Sequence, residues 1–267
     1  MVLHHSIPKA ISLIAFCTLT FAAPEESVRG GTGGAPRAPA LPAPVVAAPP
    51  TTAATTIGDC PAKMVQVEGD YCPDVEQTCL KWLDPPPYEN LRCGEWAKPA
   101  KCKVPRVHKK FCIDRDEYTD GADEIPVVHK SWTEAKATCE ARGARLCKES
   151  EWELACEGPE MSPYPYGWKR DSSICNIDRT DLGGPGEKLI DHRAKTSEFP
   201  GCVSPYGVHD MVGNVDEWAE REGQSAPYRS ALRGGWWLPG RNRCRAATRE
   251  HAEDYSAKQV GFRCCKD

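Results

Sequence analysis

The sequence predicts an α+β fold with few helices, low regular secondary structure and a dense disulfide framework. Fifteen of the 267 residues are cysteine, and no two have the C-x-x-C spacing of zinc ribbons or thioredoxin-like sites. Cysteines in that number without metal-ligand spacing point to an oxidising compartment. Only two stretches carry a capped helical period, and the strand-like pieces beyond them are short and separated by Gly, Pro and Asp.

The first element is a leader. Lys9 precedes an apolar run from Ala10 to Phe21, and Thr20-Phe21-Ala22 places small residues at −3 and −1 of a cleavage point. A signal peptide is expected over residues 1–22, hence a secreted chain (periplasmic, extracellular or cell-surface). Cys17 would anchor a lipoprotein, but Phe16 stands before it where such signals carry a small residue. Cleavage after Ala22 leaves 14 cysteines, an even number. Residues 23–58 are rich in Pro, Ala and Thr and hold few large apolar side chains, so they read as a disordered linker that cannot offset its ordering entropy. The folded domain is expected over residues 59–267, long enough for one sizeable core.

Composition narrows the partners. With 34 basic against 38 acidic residues the net charge is −4, so there is no basic excess for nucleic acid to recognise. No stretch after residue 23 holds about 18 consecutive apolar residues, so no transmembrane segment is expected.

Residues 59–110 form a cysteine-rich N-terminal part with Cys60, Cys72, Cys79, Cys93 and Cys102; Cys112 follows just after it. Met64-Val65-Gln66-Val67-Glu68-Gly69 alternates as a first strand. Trp82, Trp96 and Pro85-Pro86-Pro87 break any helical period, leaving loops stapled by disulfides whose pairing the sequence does not give.

Ser131-Trp132-Thr133-Glu134 is a capping box, Trp132, Ala135 and Cys139 share one helical face, and Gly143 supplies a left-handed stop. A second short helix is expected near Ser150–Cys156, with Trp152, Ala155 and Cys156 on one face and Gly158 after it. Asp114-x-Asp116-x-Tyr118-x-Asp120-Gly121 has its glycine two positions too late for an EF-hand and Tyr118 at a ligand position, so it is read as an acidic strand-and-turn edge. His108, His129, His192, His209 and His251 lack H-x-H or H-x3-H spacing and are read as surface or hydrogen-bonded residues. No G-x-S-x-G elbow is present for a nucleophilic hydrolase.

From here the motifs carry a resemblance. In order they are Ser131-Trp132-x-Glu134-Ala135, Gly143-x-Arg145-Leu146, Glu151-Trp152-Glu153 and Tyr164-Pro165-Tyr166-Gly167. Cys175-Asn176, Tyr206-Gly207-Val208-x-Asp210-Met211-x-Gly213-Asn214-Val215-x-Glu217-Trp218, Arg233-Gly234-Gly235 and Gly261-Phe262-Arg263-Cys264 follow. Over residues 60–267 the chain resembles the formylglycine-generating enzyme family, also called sulfatase-modifying factors. The resemblance implies that family's compact, irregular fold, a relative of C-type lectins.

The family's oxidases convert a substrate cysteine to formylglycine with copper held by a C-x4-C thiolate pair, the soft donors that Cu(I) needs. Here the corresponding stretch runs from Gly234 through Trp236 and Trp237 to Cys244 with one cysteine; Trp236 replaces the family's serine and Asp216 its tryptophan. The sequence therefore argues against copper and against formylglycine formation. Other members of the fold use histidine-held iron, for which the histidine spacing is wrong.

Asp210, Gly213, Val215 and Glu217 match the family's calcium loop, where carboxylates and backbone carbonyls supply the hard oxygens that Ca²⁺ takes. Asn176 and Ile177 resemble half of a second calcium site, whose downstream partners do not align. Trp236, Trp237, Asp216, Arg241 and Arg243 are binding candidates, since aromatic and Arg composition is typical of interaction hot spots; core filling by one or both tryptophans is the alternative. The resemblance also implies the disulfides Cys139–Cys264 and Cys156–Cys244. Cys265, on the opposite strand face from Cys264, needs another partner. The sequence-level expectation is a secreted, calcium-stabilised binding module for a protein or glycan ligand. A same-family oxidase acting on a protein cysteine with a rearranged site is the alternative.

Overall fold

The computed structural model describes residues 60–121, 123–184, 188–196 and 198–267. The expected signal peptide and the whole of the expected linker lie outside the described residues. Among the described residues no helix is long and apolar enough to cross a membrane.

In chain order the strands before the first helix are β1 (Met64–Tyr71), β2 (Val75–Glu76), β3 (Cys79–Trp82), β4 (Cys93–Trp96), β5 (Lys101–Cys102) and β6 (Val107–Asp114). Helix α1 (Trp132–Ala141), strand β7 (Arg145–Leu146) and helix α2 (Glu149–Glu157) follow. The last strands are β8 (Asp216–Glu220), β9 (Ser230–Arg233), β10 (Ala247–Thr248), β11 (Val260–Phe262) and β12 (Cys264–Lys266).

The alternating segment at Met64 extends two residues past the expected strand and pairs antiparallel with β6, Met64 opposite Asp114 and Tyr71 opposite Val107. These two form one side of a four-stranded sheet of order β1-β6-β12-β7. A second four-stranded sheet, β10-β9-β8-β11, is antiparallel except for the β11–β8 pair. Two-stranded pairs β2–β5 and β3–β4 make up the cysteine-rich N-terminal part.

Helix α1 is held by the expected box: Ser131 Oγ accepts from the Glu134 N–H, and the Ser131 N–H donates to Glu134 at 2.9 Å. Its buried residues are Trp132, Ala135 and Cys139, the three that share the predicted face. Helix α2 departs from the one-sided expectation, because every residue from Ser150 to Glu157 is buried. Its acidic side is covered by arginines from β9 and the segment after it, so both faces leave solvent.

Alternation along the first sheet divides the interior. Val65, Val67, Phe111 and Ile113 join Trp152, Leu154 and Ala155 of α2 in one apolar cluster. Met64, Leu146 and Cys264 join Trp132 and Ala135 of α1, with Trp218, Leu232 and Phe262, in another. A third gathers Trp96, Met161, Tyr164 and Trp168 beneath the N-terminal strands.

The disulfides follow the same geometry. Successive side chains of a strand face opposite ways, so Cys264 pairs with Cys139 of α1 and Cys265 with Cys147. Cys156 of α2 pairs with Cys244, and Cys175 with Cys202. In the N-terminal part the pairs are Cys60–Cys112, Cys72–Cys102 and Cys79–Cys93.

Candidate functional site

Most of the residues singled out by sequence fall into two places, the turn before β8 and a cleft at its start. The turn before β8 is built on left-handed backbone, with φ of 55° at Asp210, 82° at Gly213 and 51° at Asn214. Gly213 has a second constraint: a Cβ there would lie 2.3 Å from the Asn176 carbonyl oxygen and 2.5 Å from Ile177 Cγ2. Only glycine lets the two loops meet so closely. Asn176 and Ile177 are thus brought against the turn. Asn176 Nδ2 donates to the His192 carbonyl at 2.7 Å and to Asn214 Oδ1 at 3.0 Å, while Ile177 is core.

Asp210 and Glu217 are both buried, and so is Glu117, which accepts from Asn214 Nδ2 and from the Val215 N–H at 3.2 Å. Arg263 lies among them with no exposure, donating to the two Glu217 oxygens at 2.6 and 2.7 Å; the Trp152 indole adds a third bond at 2.8 Å. Burial pushes Asp210 up to about 7, against the pull of Arg263 and His209 and with the repulsion of Asp116 and Glu217. Burial also drives Glu117 well above the usual carboxylate range, with Asp210 and Glu217 adding to it.

Glu117 and Arg263 are the residues whose role the sequence did not disclose. Glu117 sits in the stretch read as an acidic edge, where Asp114 is also buried, paired with Arg142 at 2.9 Å. His209 Nδ1 lies 2.8 Å from Asp116, and His251 stacks on Tyr255 with ring centres 3.7 Å apart. Among the described residues, no three His, Cys, Asp or Glu side chains converge as a metal-binding group. A cation in this turn would draw on Asp210 and Glu217 with the carbonyls of Gly213 and Val215, and would share Glu217 with Arg263. Glu217, ion-paired with Arg263, and the raised carboxyls of Asp210 and Glu117 are hard-oxygen groups of the kind Ca²⁺ takes.

The second place is a cleft of about 180 Å³ over the starts of β8 and β10 and the end of β9. Asp216, Trp236, Arg241 and Asn242 line it. Burial pushes Asp216 up to about 7, against the Gly235 N–H that donates to it and with Glu217 beside it. Trp236 is half-buried in the wall and Arg241 is exposed. The other two candidates go elsewhere. Trp237 is fully buried, its ring edge-on to Trp236 at 4.9 Å, and fills core. Arg243 reaches the N-terminal part, 5.3 Å above the Trp96 ring. Asn242 was missed; it is buried, takes a bond from Arg170 at 2.8 Å and donates to the Trp236 carbonyl at 2.5 Å, fixing the loop that carries the tryptophan.

A family profile described as "Sulfatase-modifying factor enzyme 1-like domain" matches residues 63–267. The chain belongs to the sulfatase-modifying factor family. Among its relatives, the bovine (Bos taurus) protein named inactive C-alpha-formylglycine-generating enzyme 2 is 35% identical over 151 residues, 53% of this chain and 50% of the relative. The mouse (Mus musculus) formylglycine-generating enzyme is 30% identical over 166 residues, 53% of this chain and 44% of that protein. The chain thus spans about half the length of the curated relatives it matches. In fold it is similar to the crystal structure of CarF, with a TM-score of 0.51 at 16% identity, covering 77% of this chain and 98% of CarF. The C-type-lectin-related, formylglycine-generating-enzyme fold with low regular secondary structure is the fold of this sulfatase-modifying factor domain.

Copper is the metal of the family's oxidases, and the cleft residues do not fit it. The lining offers a carboxylate, an amide, a guanidinium and an indole. Each cysteine among the described residues is bound in a disulfide, so none is a thiolate for Cu(I). Seven such disulfides also fit a compartment outside the reducing cytosol.

Proposed function

We propose that this sulfatase-modifying factor domain does not form formylglycine and acts as a secreted binding module that uses the Asp216–Trp236 cleft. The observation that carries the proposal is the state of the cysteines: Cys244, the one cysteine in the stretch where the oxidases keep their pair, is joined to Cys156. The thiolate is the form of cysteine that ligates metal or attacks as a nucleophile, and a disulfide sulfur is not one. The loop that carries Trp236 into the cleft is held by Asn242, which takes a bond from Arg170 and donates to the Trp236 carbonyl.

Incubating the purified chain with Cu(I), oxygen and a peptide carrying a sulfatase cysteine motif tests this. The expected result is an unmodified peptide by mass spectrometry. Conversion of the peptide cysteine to an aldehyde would instead establish an oxidase with a rearranged site.

Calcium belongs to the same proposal, held by Asp210, Gly213, Val215 and Glu217 and supported by the buried carboxyl oxygens gathered there. An ion that binds the folded chain alone raises its stability with concentration. The melting temperature should therefore be higher in millimolar calcium than in excess chelator, and Asp210→Ala should remove most of the difference. Equal melting temperatures in the two buffers would refute calcium stabilisation.

A further inference from the structure

We infer that the cleft between Asp216 and Trp236 binds a protonated amine or guanidinium group presented by a peptide. The inference rests on the non-oxidase reading of the same cleft and assigns its ligand class. The cleft's size, charge, aromatic wall, apolar rim and polar groups support it.

Its volume, about 180 Å³, suits one side chain rather than a run of sugar rings. Asp216 brings a carboxylate to the lining, and what reaches it there is a backbone N–H from Gly235. Among the described residues Asp216 forms no salt bridge, although most other enclosed carboxylates of this chain have an arginine. A ligand ammonium or guanidinium at this position favours the ionised carboxylate and gains a charge-assisted bond that a neutral N–H does not supply.

Trp236 forms part of the same lining, and an indole is the best of the aromatic partners for a cation. Leu238 and Pro239 beside it give apolar contact to the methylene stem of a lysine or arginine. The polar groups also disfavour a sugar. Asn242, the amide of the lining, already spends its Oδ1 on Arg170 and its Nδ2 on the Trp236 carbonyl. Arg241 is exposed at the cleft, placed to meet the carbonyls or a carboxylate of the peptide that carries the cation.

The test uses a short capped peptide with one lysine and the same peptide with that lysine acetylated, each titrated into the full chain by calorimetry and tryptophan fluorescence. The lysine peptide should bind saturably and acetylation should weaken it about tenfold or more, the scale of one charge-assisted bond. Asp216→Asn, which keeps the shape and removes the charge, should give a similar loss. Trp236→Leu should weaken binding several-fold, with both variants checked for native circular dichroism. Equal binding of the two peptides overturns the inference, as does no saturable binding of the lysine peptide or saturable binding of a neutral monosaccharide in its place. The peptide comparison uses the unaltered chain, so it decides the matter even if Asp216→Asn fails to fold. Aldehyde formation in the sulfatase-motif peptide would sink the non-oxidase reading while leaving a charge-dependent lysine preference intact.

Discussion

Glu149, Glu153 and Glu157 recur every fourth residue of α2, which puts three like charges on one helix face, Glu153 and Glu157 buried and Glu149 half-buried. Alone they would repel, and burial would add several kcal/mol per ion. The fold answers with arginines from far along the chain. Arg233 donates to Glu149 and Glu153, Arg245 donates to Glu157 and is ion-paired with Glu153, and Arg249 donates to Glu149. Tyr71 donates its hydroxyl to Glu153 from β1. The compensation is incomplete at Glu157, where burial outweighs Arg245 and lifts the carboxyl to about 7. A carboxyl raised above its unfolded value contributes stability that is complete below about pH 4.3 and is lost as pH climbs through 7. Glu157→Gln cannot ionise, so the difference between wild-type and variant stability curves should fall by on the order of 3 kcal/mol from pH 4 to pH 8. Denaturant melts at both pH values read it, and parallel curves would show that Glu157 keeps an ordinary pKa. None of this was visible in the sequence. Glutamates at four-residue spacing read as a solvated helix face, and nothing local says that their partners lie some 80 residues away.

At the scale of elements, the cysteine-rich β3–β4 hairpin is coupled to the cleft by a chain of charges. Arg92, beside β4, is held by Asp84 at 2.6 Å and reaches Asp178 at 3.2 Å. Asp178 also accepts from Arg170 at 2.8 Å, and Arg170 donates to Asn242, which holds the Trp236 carbonyl. Although burial opposes it, the two guanidinium groups hold Asp178 below the usual carboxylate range, Arg170 foremost. A depressed carboxyl contributes stability that is present above about pH 3.9 and lost as pH falls through its folded value. Asp178→Asn should therefore lower stability at pH 7 by on the order of 1–3 kcal/mol, the cost of leaving two partly buried guanidinium groups short of a partner, and the deficit should shrink on acidification. It should also loosen the Trp236 loop, read as a shifted tryptophan emission; a deficit unchanged between pH 7 and pH 2 would exclude the ion pairs as its source. The capping box and the first strand were legible because their signals are local: a hydroxyl three residues from a carboxylate, or apolar residues every second position. The relay was not, since it joins residues 84, 92, 170, 178 and 242 whose spacing has no period. The cleft was half legible: replacement of family residues pointed to Asp216 and Trp236, but the same composition could not say that Trp237 and Arg243 face away.

Across the whole molecule, long disulfide loops stand in for regular secondary structure. Cys139–Cys264, Cys147–Cys265 and Cys156–Cys244 span 125, 118 and 88 residues and tie both helices and the loop between them to β12 and to the turn before β10. Cys79–Cys93 spans 14 residues within one hairpin. In the chain-entropy model, closing the longest loop restricts the unfolded chain by about 5 kcal/mol and the shortest by about 3 kcal/mol. Position widens that gap. Cys139, Cys264, Cys156 and Cys244 are fully buried in the two main apolar clusters, so their removal also leaves cavities there; Cys93 is buried in the smaller third cluster, in a hairpin that projects Leu80 and Trp82 into solvent. Replacing Cys139 and Cys264 together by alanine should therefore abolish cooperative melting or lower stability by at least 4 kcal/mol or so. Replacing Cys79 and Cys93 should cost about 3 kcal/mol or less and leave the near-ultraviolet dichroism of the core in place. Non-reducing peptide mapping of each variant supplies the control, because the remaining pairs must stay as they are for the comparison to hold. If the two double variants melt alike, chain length between the cysteines is not what makes the long bridges matter, and the core clusters must hold the termini without them.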